Sequence, residues 1–578
     1  MISEMLDLNA YQKALNWIKG PIEDRDKSII KDWIKNDLNI LNESFYKDLE
    51  FGTGGLRGIM RLGSNGINKY TLGLATQGLA NYLKLKIPKK PRVVIAYDSR
   101  NNSSFFAKTV ADILKANNID VFLFSELRPT PQLSYAVRSL SCDAGIVITA
   151  SHNPKEYNGL KFYWSDGGQL VPPQDKGILS SVRKVDLSDI KWTKGNGIIN
   201  YLDSKIDGSY LEKVAELSFN SKINSNLKLV FTSLHGTAIT LLPKALESFG
   251  FKNVHILESQ AIIDGDFPTI KSPNPEEAEA LMLAVEKAEE INADMVIGCD
   301  PDADRVGIAV RNNKNKLILL NGNQTAAVLF DYVLSQKKTN KTLYENSYVA
   351  TTVVTSTLLE DIANSYDVST YITLTGFKWI GDLIARLEAD KQFIIGGEES
   401  YGYLIGDFVR DKDAISASAL IAESAAWYLS KGSSFYKQLL NIYAKHKLHH
   451  ESLFSVTKKG RVGAEEIEQI MNRLRNNPPK KIGNTVIEKI LDFQTRSSTI
   501  LATGLVEKIE LPRSNVIQFQ MLNGDRITAR PSGTEPKIKY YFSAKGDYLN
   551  LEEVDSYDRM CDTLKERIES YKTIVTNF

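Results

Sequence analysis

The chain has 578 residues, 43% hydrophobic and 24% charged, with 71 Lys+Arg against 70 Asp+Glu for a formal charge of +1. That length exceeds a single core and divides into about three to five domains, and the balanced charge excludes a global basic field for nucleic acid. No polybasic tail, basic leader or apolar run long enough to span a bilayer is present, so the sequence predicts a cytoplasmic protein with no membrane partner. Cys142, Cys299 and Cys561 are too few and too scattered for a disulfide framework or a CxxC metal site, and read as small buried hydrophobes.

Residues 1–50 read as helical and amphipathic, with residues 41–49 leading into Phe51-Gly52-Thr53-Gly54-Gly55-Leu56-Arg57-Gly58. Four glycines in eight residues permit close backbone approach and Arg57 supplies a fixed positive fork, but no strand precedes them as a dinucleotide fingerprint requires. From Arg92 the chain alternates: RVVIAYD, a helix over 102–117, then DVFLF, which predicts α/β architecture with a mixed or parallel sheet. In DAGIVITASHNPKEYNGLKFYW, residues 143–164, Ile146-Val147-Ile148 read as a buried strand whose carboxyl end presents Ser151 on a turn. A turn-capping serine is the plainer alternative. The polar stretch 184–208 reads as a linker.

The second unit runs KLVFT, a helix over 238–249, NVHIL, a helix opening at Pro275-Glu276-Glu277, and ADMVIGCDPDADRVGIAV. The third runs SYVATTVV, a helix, TYITLT, a helix from Phe377, and KQFIIGGEESYGYLIG. GIVITASHNPKEYNGLKF, DMVIGCDPDADRVGIAV and QFIIGGEESYGYLIG are related as a weak repeat, each a strand, a small-residue break, a polar cluster and renewed strand. Three similar α/β domains presenting corresponding loops to one cleft would produce it. After residue 450, the strand-like runs SLFSVT, NVIQFQM, RITAR and KIKYYFSA with two helices predict an α+β domain.

Asp300, Asp302 and Asp304 would repel one another unless a cation sits among them, and hard divalent ions prefer such oxygens. A solvated acidic turn is the alternative. An EF-hand is excluded, because its sixth position would be Arg305 and its twelfth Arg311. Arg530-Pro531-Ser532-Gly533-Thr534 joins an arginine, two hydroxyls and glycine-freed N–H groups, a good anion nest. If Ser151 carries a phosphoryl group, a Mg²⁺ ion on the aspartates would neutralise it, with Arg57 and Arg305 on its oxygens and Lys161 or His152 as base. Glu398 and Ser400 suit sugar hydroxyls, and the 530–534 loop a distal phosphate. A Ser-His acyl hydrolase does not fit, since Gly-x-Ser-x-Gly is missing around Ser151.

TASHNP, DPDADR, GGEESYG and RPSGTEPK, in this order, resemble the signature loops of the α-D-phosphohexomutase superfamily, and FGTGGLRG its N-terminal arginine loop. ASHNPKEYNGLKFYW, GFKWIG and GEESYGYLIGDFVRDKD are most similar to the phosphoglucomutase/phosphopentomutase branch. The resemblance implies three mixed-sheet α/β domains and a TATA-binding-protein-like α+β domain around a central cleft. The expected domains are residues 1–206 (phosphoserine loop), 207–324 (metal loop), 325–448 (sugar-binding loop) and 449–578 (phosphate binding).

It further implies phosphoserine at Ser151, one Mg²⁺ ion on Ser151 and the three aspartates, Lys161 as general acid or base, and glucose 1,6-bisphosphate as intermediate and primer. Expected substrate contacts are Arg305, Gly376, Lys378, Glu398, Ser400, Arg530, Ser532, Gly533, Thr534 and Lys539. Gly376-Phe377-Lys378-Trp379 stands where phosphomannomutase-like members have Gly-His, and Lys539 rather than arginine follows the distal loop, weakening a bidentate clamp. The expected partners are small sugar phosphates, in a monomer or dimer. Glucose phosphate is the expected substrate, with pentose or mannose phosphates and a non-catalytic sugar-phosphate-binding regulator as alternatives.

Overall fold

A computed structural model describes residues 7–50, 55–458, 460–532, 537–553 and 555–576. Its first sheet contains β1 (Gly55–Ile59), β2 (Arg92–Tyr97), β3 (Asp120–Phe124), β4 (Ala144–Ile148), β5 (Tyr157–Trp164) and β6 (Ile199–Leu202), in the order β1-β5-β4-β2-β3-β6. β4, β2, β3 and β6 run parallel, while β5 pairs antiparallel with both β4 and the edge strand β1, so the sheet is mixed. Helices cover both faces, which is why β4 reads as an unbroken apolar run rather than an alternation. Ile146 and Ile148 enter a core with Leu79, Phe106 and Val110, whereas Val147 enters the opposite one with Leu133 and Val137.

The second sheet contains β7 (Lys228–Thr232), β8 (Asn253–Ile256), β9 (Met295–Cys299), β10 (Val306–Arg311) and β11 (Leu317–Leu320), ordered β11-β10-β9-β7-β8. The third contains β12 (Ser347–Thr352), β13 (Ser369–Thr373), β14 (Gln392–Glu398) and β15 (Gly402–Ile405), ordered β13-β12-β14-β15. The repeat seen in the sequence is thus a repeat of topology: β5-β4-β2-β3, β10-β9-β7-β8 and β15-β14-β12-β13 are the same four-strand arrangement. In each, an antiparallel pair is joined by one of the three polar loops, so the loops occupy equivalent positions at strand carboxyl ends.

The C-terminal unit is antiparallel. It contains β16 (His449–Thr457), β17 (Lys481–Ile482), β18 (Thr485–Asp492), β19 (Ser497–Ile500), β20 (Val506–Lys508), β21 (Ile517–Met521), β22 (Arg526–Pro531) and β23 (Lys537–Lys545). The path is β16-β23-β22-β21-β18-β19-β20, with β17 beside β18 and helices over Gly460–Asn476 and Ser556–Val575. It is tied to the third unit by Gln518 Nε2 donating to the Val353 carbonyl at 2.7 Å and by Lys545 Nζ 2.8 Å from Asp361 Oδ2.

The structure corrects the sequence reading in two places. Residues 184–208 are not a linker: they include β6, parallel beside β3, and the start of the helix Ser204–Ala215. As an edge strand with Tyr201 exposed, β6 lacks the apolar run that marks its neighbours. The expected helix over 238–249 is a 3₁₀ turn, Thr237–Thr240, followed by the helix Leu242–Ser248. Pro243 has no N–H to donate and fits only in the first turn of a new helix. The N-terminal segment is three helices, Leu8–Lys19, Asp24–Asn36 and Leu38–Phe45, whose Trp17 packs edge-on against Phe45 and Tyr70. Among the described residues no helix is long and apolar enough to cross a membrane.

Candidate active site

Beyond β4 the chain turns sharply, with Ser151 held at φ +54°. A non-glycine residue in that left-handed region costs about 1–2 kcal/mol, so the turn has to be held by its surroundings. Thr149 Oγ1 accepts from the Ser151 N–H at 2.8 Å, and Arg100 Nη2 donates to the Ser151 carbonyl at 2.6 Å. Gly159 lets β5 pass close by, since a Cβ there would lie 2.4 Å from the Leu56 carbonyl oxygen. Ser151 is not presented to solvent as its sequence context suggested: it is 4% exposed, because the second unit's acidic loop stands over it. Its Oγ donates to Asp300 Oδ2 at 3.0 Å and lies 3.1 Å from His152 Nδ1. Burial, with Arg305 and Arg57 nearby, holds His152 well below its usual range and therefore neutral. Arg57, on the edge strand β1, donates to Asn153 Oδ1 at 3.1 Å.

Asp300, Asp302 and Asp304 are buried, and one carboxylate oxygen from each converges within 4.8 Å, the one such cluster among the described residues. The loop is built to bring them together. Asp300 Oδ1 accepts the N–H groups of Asp304 and Arg305, both at 3.0 Å, and Ala303 takes φ +53°. Gly236 allows the neighbouring loop to press on Pro301, where a Cβ would lie 2.4 Å from its Cα, and Thr237 donates N–H and hydroxyl to the Pro301 carbonyl. Thr130, from the first unit, donates its N–H to the Asp302 carbonyl at 2.9 Å and its hydroxyl to Asp302 Oδ2 at 3.1 Å.

Three adjacent buried carboxylates need compensation. Lys161 Nζ lies 2.7 Å from Asp302 Oδ2 and 3.3 Å from Asp304 Oδ2, and Lys412 Nζ lies 3.1 Å from Asp304 Oδ2. Against the effect of burial, these partners raise Lys161 and Lys412, so both are ammonium groups, while Lys412, Lys161 and Arg305 hold Asp304 below the usual carboxylate range. Burial and the other two aspartates push Asp300 well above it. Asp302 Oδ1 and Asp304 Oδ1 are buried with no hydrogen-bond partner, as suits oxygens able to coordinate a cation. Three converging hard oxygens, in a trio with two buried oxygens left unpaired, fit a divalent ion of the Mg²⁺ or Ca²⁺ type.

On the far side of the cleft, Glu398 Oε1 accepts the Gly376 N–H at 2.7 Å, with Gly376 at φ +110°. Burial raises Glu398 despite Lys412, and burial together with Glu398 raises Glu399 to about 7. Ser400 is half-buried in the same turn. Burial, partly offset by Asp175 and reinforced by Arg530, lowers Lys378 to about 8. Arg530 lies opposite Lys539 across the β22–β23 pair, and Lys539 is lowered by burial and then by Arg530, Lys537 and Arg305. Arg530 and Lys539 are therefore near enough to Lys378 and Arg305 for their charges to act on one another. Ser532 donates its N–H to the Lys537 carbonyl at 2.7 Å, while Gly533 and Thr534 lie outside the described residues.

Domain models described as phosphoglucomutase/phosphomannomutase α/β/α domains I, II and III match residues 48–189, 208–314 and 321–445. A phosphoglucomutase of Staphylococcus epidermidis is 37% identical over 545 residues, 93% of this chain and 97% of that protein. One from Staphylococcus aureus is 37% identical over 534 residues, 92% and 95% of the two chains. The chain belongs to the phosphoglucomutase/phosphomannomutase family. Two solved structures share its fold. Paramecium parafusin, a phosphoglucomutase in an open form, has TM-score 0.67 and 20% identity over 91% of this chain and 95% of that one. A phosphoglucomutase/phosphomannomutase family protein from Burkholderia thailandensis has TM-score 0.64 and 18% identity over 92% and 98%.

Within this phosphoglucomutase/phosphomannomutase chain, Ser151, His152, Lys161 and the three aspartates meet directly, and Arg57 joins them through Asn153. Arg305, expected on a phosphate, pairs in this arrangement with Glu276. Sequence reasoning passed over Lys412, Thr130 and Arg100. Lys412 carried a signal, as a lysine flanked by Asp411 and Asp413 just beyond the third loop, but nothing local tied it to Asp304.

Proposed function

We propose that the enzyme is a phosphoglucomutase that interconverts glucose 1-phosphate and glucose 6-phosphate through a phosphoserine at Ser151 and a glucose 1,6-bisphosphate intermediate. The observation that carries this reading is the direct contact of Ser151 Oγ with Asp300 inside a trio of buried carboxylates that has two unused oxygens. The similar phosphoglucomutases, matched over almost their whole length, support glucose as the sugar.

The chemistry required is phosphoryl transfer by positioning and charge compensation. Asp300, Asp302 and Asp304 would hold Mg²⁺, which neutralises phosphoryl charge when bound. The O–P bond at Ser151 Oγ breaks as one forms to a sugar hydroxyl. The proton released by that hydroxyl ends on Ser151 Oγ, with His152 Nδ1, 3.1 Å from that oxygen, and Lys161 Nζ the groups that carry it. Arg57 and Arg305 stabilise charge on the equatorial oxygens. Glu398 and Ser400 hold sugar hydroxyls at the Gly376 turn, and Lys378, Arg530, Ser532 and Lys539, with Gly533 and Thr534, grip the distal phosphate. The bisphosphate then turns over within the cleft and returns its other phosphate to Ser151. The Arg530 hairpin closes on the substrate and excludes water, which would otherwise make the reaction a hydrolysis. The reading places the enzyme in the cytoplasm, as a monomer or dimer, with a bisphosphate primer loading Ser151.

Intact-protein mass spectrometry with peptide mapping, run on wild type and Ser151→Ala and paired with a sugar-phosphate panel, tests it. The expected result is one phosphate on Ser151 in part of the wild-type sample, none in the variant, and fastest turnover with glucose 1-phosphate. A Ser151→Ala protein interconverting sugar phosphates at the wild-type rate would exclude the mechanism, and faster turnover of ribose 1-phosphate would replace the substrate.

A further inference from the structure

The turn after β2, Asp98-Ser99-Arg100, places a guanidinium directly behind the Ser151 loop. Arg100 is 3% exposed, and its fork takes four of that loop's carbonyl oxygens. Nη2 donates to Ser151, at 2.6 Å, and to Asn153, and Nη1 donates to Pro154 at 2.8 Å and Tyr157 at 3.1 Å. Its Nε faces Asp98 Oδ2 at 3.3 Å, and its guanidinium lies 5.2 Å from the centre of the Phe267 ring, which comes from the second unit.

Asp98 is itself fixed. Its N–H donates to the Ile148 carbonyl at 3.0 Å, and its Oδ1 accepts the Arg100 N–H at 3.0 Å and the Ser103 hydroxyl at 2.7 Å. The loop carrying Ser151 is thus bolted to the end of β4 through a side chain 51 residues earlier in the chain.

This arrangement answers a problem the turn poses. Ser151 sits in a backbone region that a serine adopts only under constraint, and the reaction needs its Oγ held closely in line with an incoming hydroxyl. A planar five-donor fork can gather several carbonyls at fixed angles, which a lysine ammonium cannot. A carbonyl bonded to Arg100 also has its negative end compensated by the guanidinium, so it opposes transfer of an anionic phosphoryl group less.

We propose that Arg100, tethered by Asp98, is a positioning residue for phosphoryl transfer, setting the conformation of the Ser151 loop without touching the sugar; the proposal rests on Ser151 being the phosphoryl carrier. The test uses full-length wild type, Arg100→Lys and Asp98→Asn, measuring kcat and KM for glucose 1-phosphate, phosphate occupancy of Ser151 and circular dichroism. Arg100→Lys keeps the charge and loses the fork, so kcat should fall about 10²-fold, the cost of a small misplacement of reacting groups. KM should stay within about threefold, because the distal clamp is untouched.

Asp98→Asn keeps the fork but frees its tether, and kcat should fall about 10-fold, as for loss of an outer partner. Should Arg100→Lys fail to fold, Asp98→Asn decides the matter. Wild-type kcat in Arg100→Lys would overturn the proposal by showing that charge alone suffices, and loss of folded protein in both variants would overturn it by assigning the pair to the core. Wild type without turnover or phosphoserine would instead bring down the functional reading, and this one with it.

Discussion

Lys412 Nζ lies 3.1 Å from Asp304 Oδ2, so a cation from the third unit completes the charge balance of the second unit's acidic loop. Two ammonium groups, Lys161 and Lys412, therefore share a trio that also has to accept a divalent ion. The two roles oppose each other, since whatever neutralises the carboxylates in the absence of the ion competes with it afterwards.

Lys412→Met should separate them. Removing one partner of a buried pair should destabilise the metal-free protein by about 3 kcal/mol. It should also tighten Mg²⁺ binding, because one competing charge is gone. Calorimetric titration with Mg²⁺ and thermal unfolding in EDTA measure the two effects. Weaker Mg²⁺ binding in the variant would show that Lys412 does not compete for the trio.

Asp302→Asn tests the site from the other side. Three carboxylates considered alone would gain from losing one, but Lys161 is bonded to Asp302 at 2.7 Å and Thr130 at 3.1 Å, so the amide should cost about 1–3 kcal/mol instead. Turnover should fall about 10²–10³-fold. Saturating Mg²⁺ should stabilise wild type by about 2.7 kcal/mol at a hundredfold excess over its dissociation constant and the variant much less. EDTA should abolish wild-type turnover and Mg²⁺ restore it. Equal Mg²⁺ stabilisation in both proteins would remove Asp302 from the metal site.

Much of this was legible before any coordinates. β4, β9 and β14 are buried on both faces, so they stand out as apolar runs, and the polar loops after them are conspicuous by contrast. The repeat in those loops foretold the threefold topology. What the sequence hid is what depends on distant partners. Arg100 sits in an unremarked YDSR turn, and its importance lies in four carbonyls more than 50 residues away. β19 and β20 are short; β20 is exposed throughout and the one buried residue of β19 is the polar Ser498, so neither has an apolar face for period-two alternation to mark. β6 was lost for the same reason.

Lys378 gives the reaction a pH limit. Burial lowers it to about 8, so it loses its charge over a range where an ordinary lysine stays protonated. If it holds the distal phosphate as an ammonium, kcat/KM, which reports the free enzyme, should decline as pH rises through about 8. Lys378→Arg keeps the charge at all working pH values and should flatten that limb, whatever it does to the plateau. Measuring kcat/KM from pH 7 to 9.5 for both proteins decides it, and an identical decline in the arginine variant would assign the limb to another group.

Glu451 makes the joint between the third and C-terminal units pH-sensitive. It lies on β16 close to Ser356 of the third unit, and burial raises its carboxyl to about 7. Unfolded, it titrates near 4.3, so between about pH 4.3 and 7 the folded protein binds more protons than the unfolded chain. Stability from this group is therefore fully present below about pH 4.3 and is lost progressively as pH rises to about 7, by up to about 4 kcal/mol. Glu451→Gln keeps the shape, cannot ionise, and should unfold at a higher temperature than wild type at pH 8 while matching it near pH 5. Thermal unfolding of both proteins across that range is the measurement. A wild-type midpoint below the variant's by the same margin at pH 5 and pH 8 would mean that the Glu451 carboxylate is not what loosens this joint.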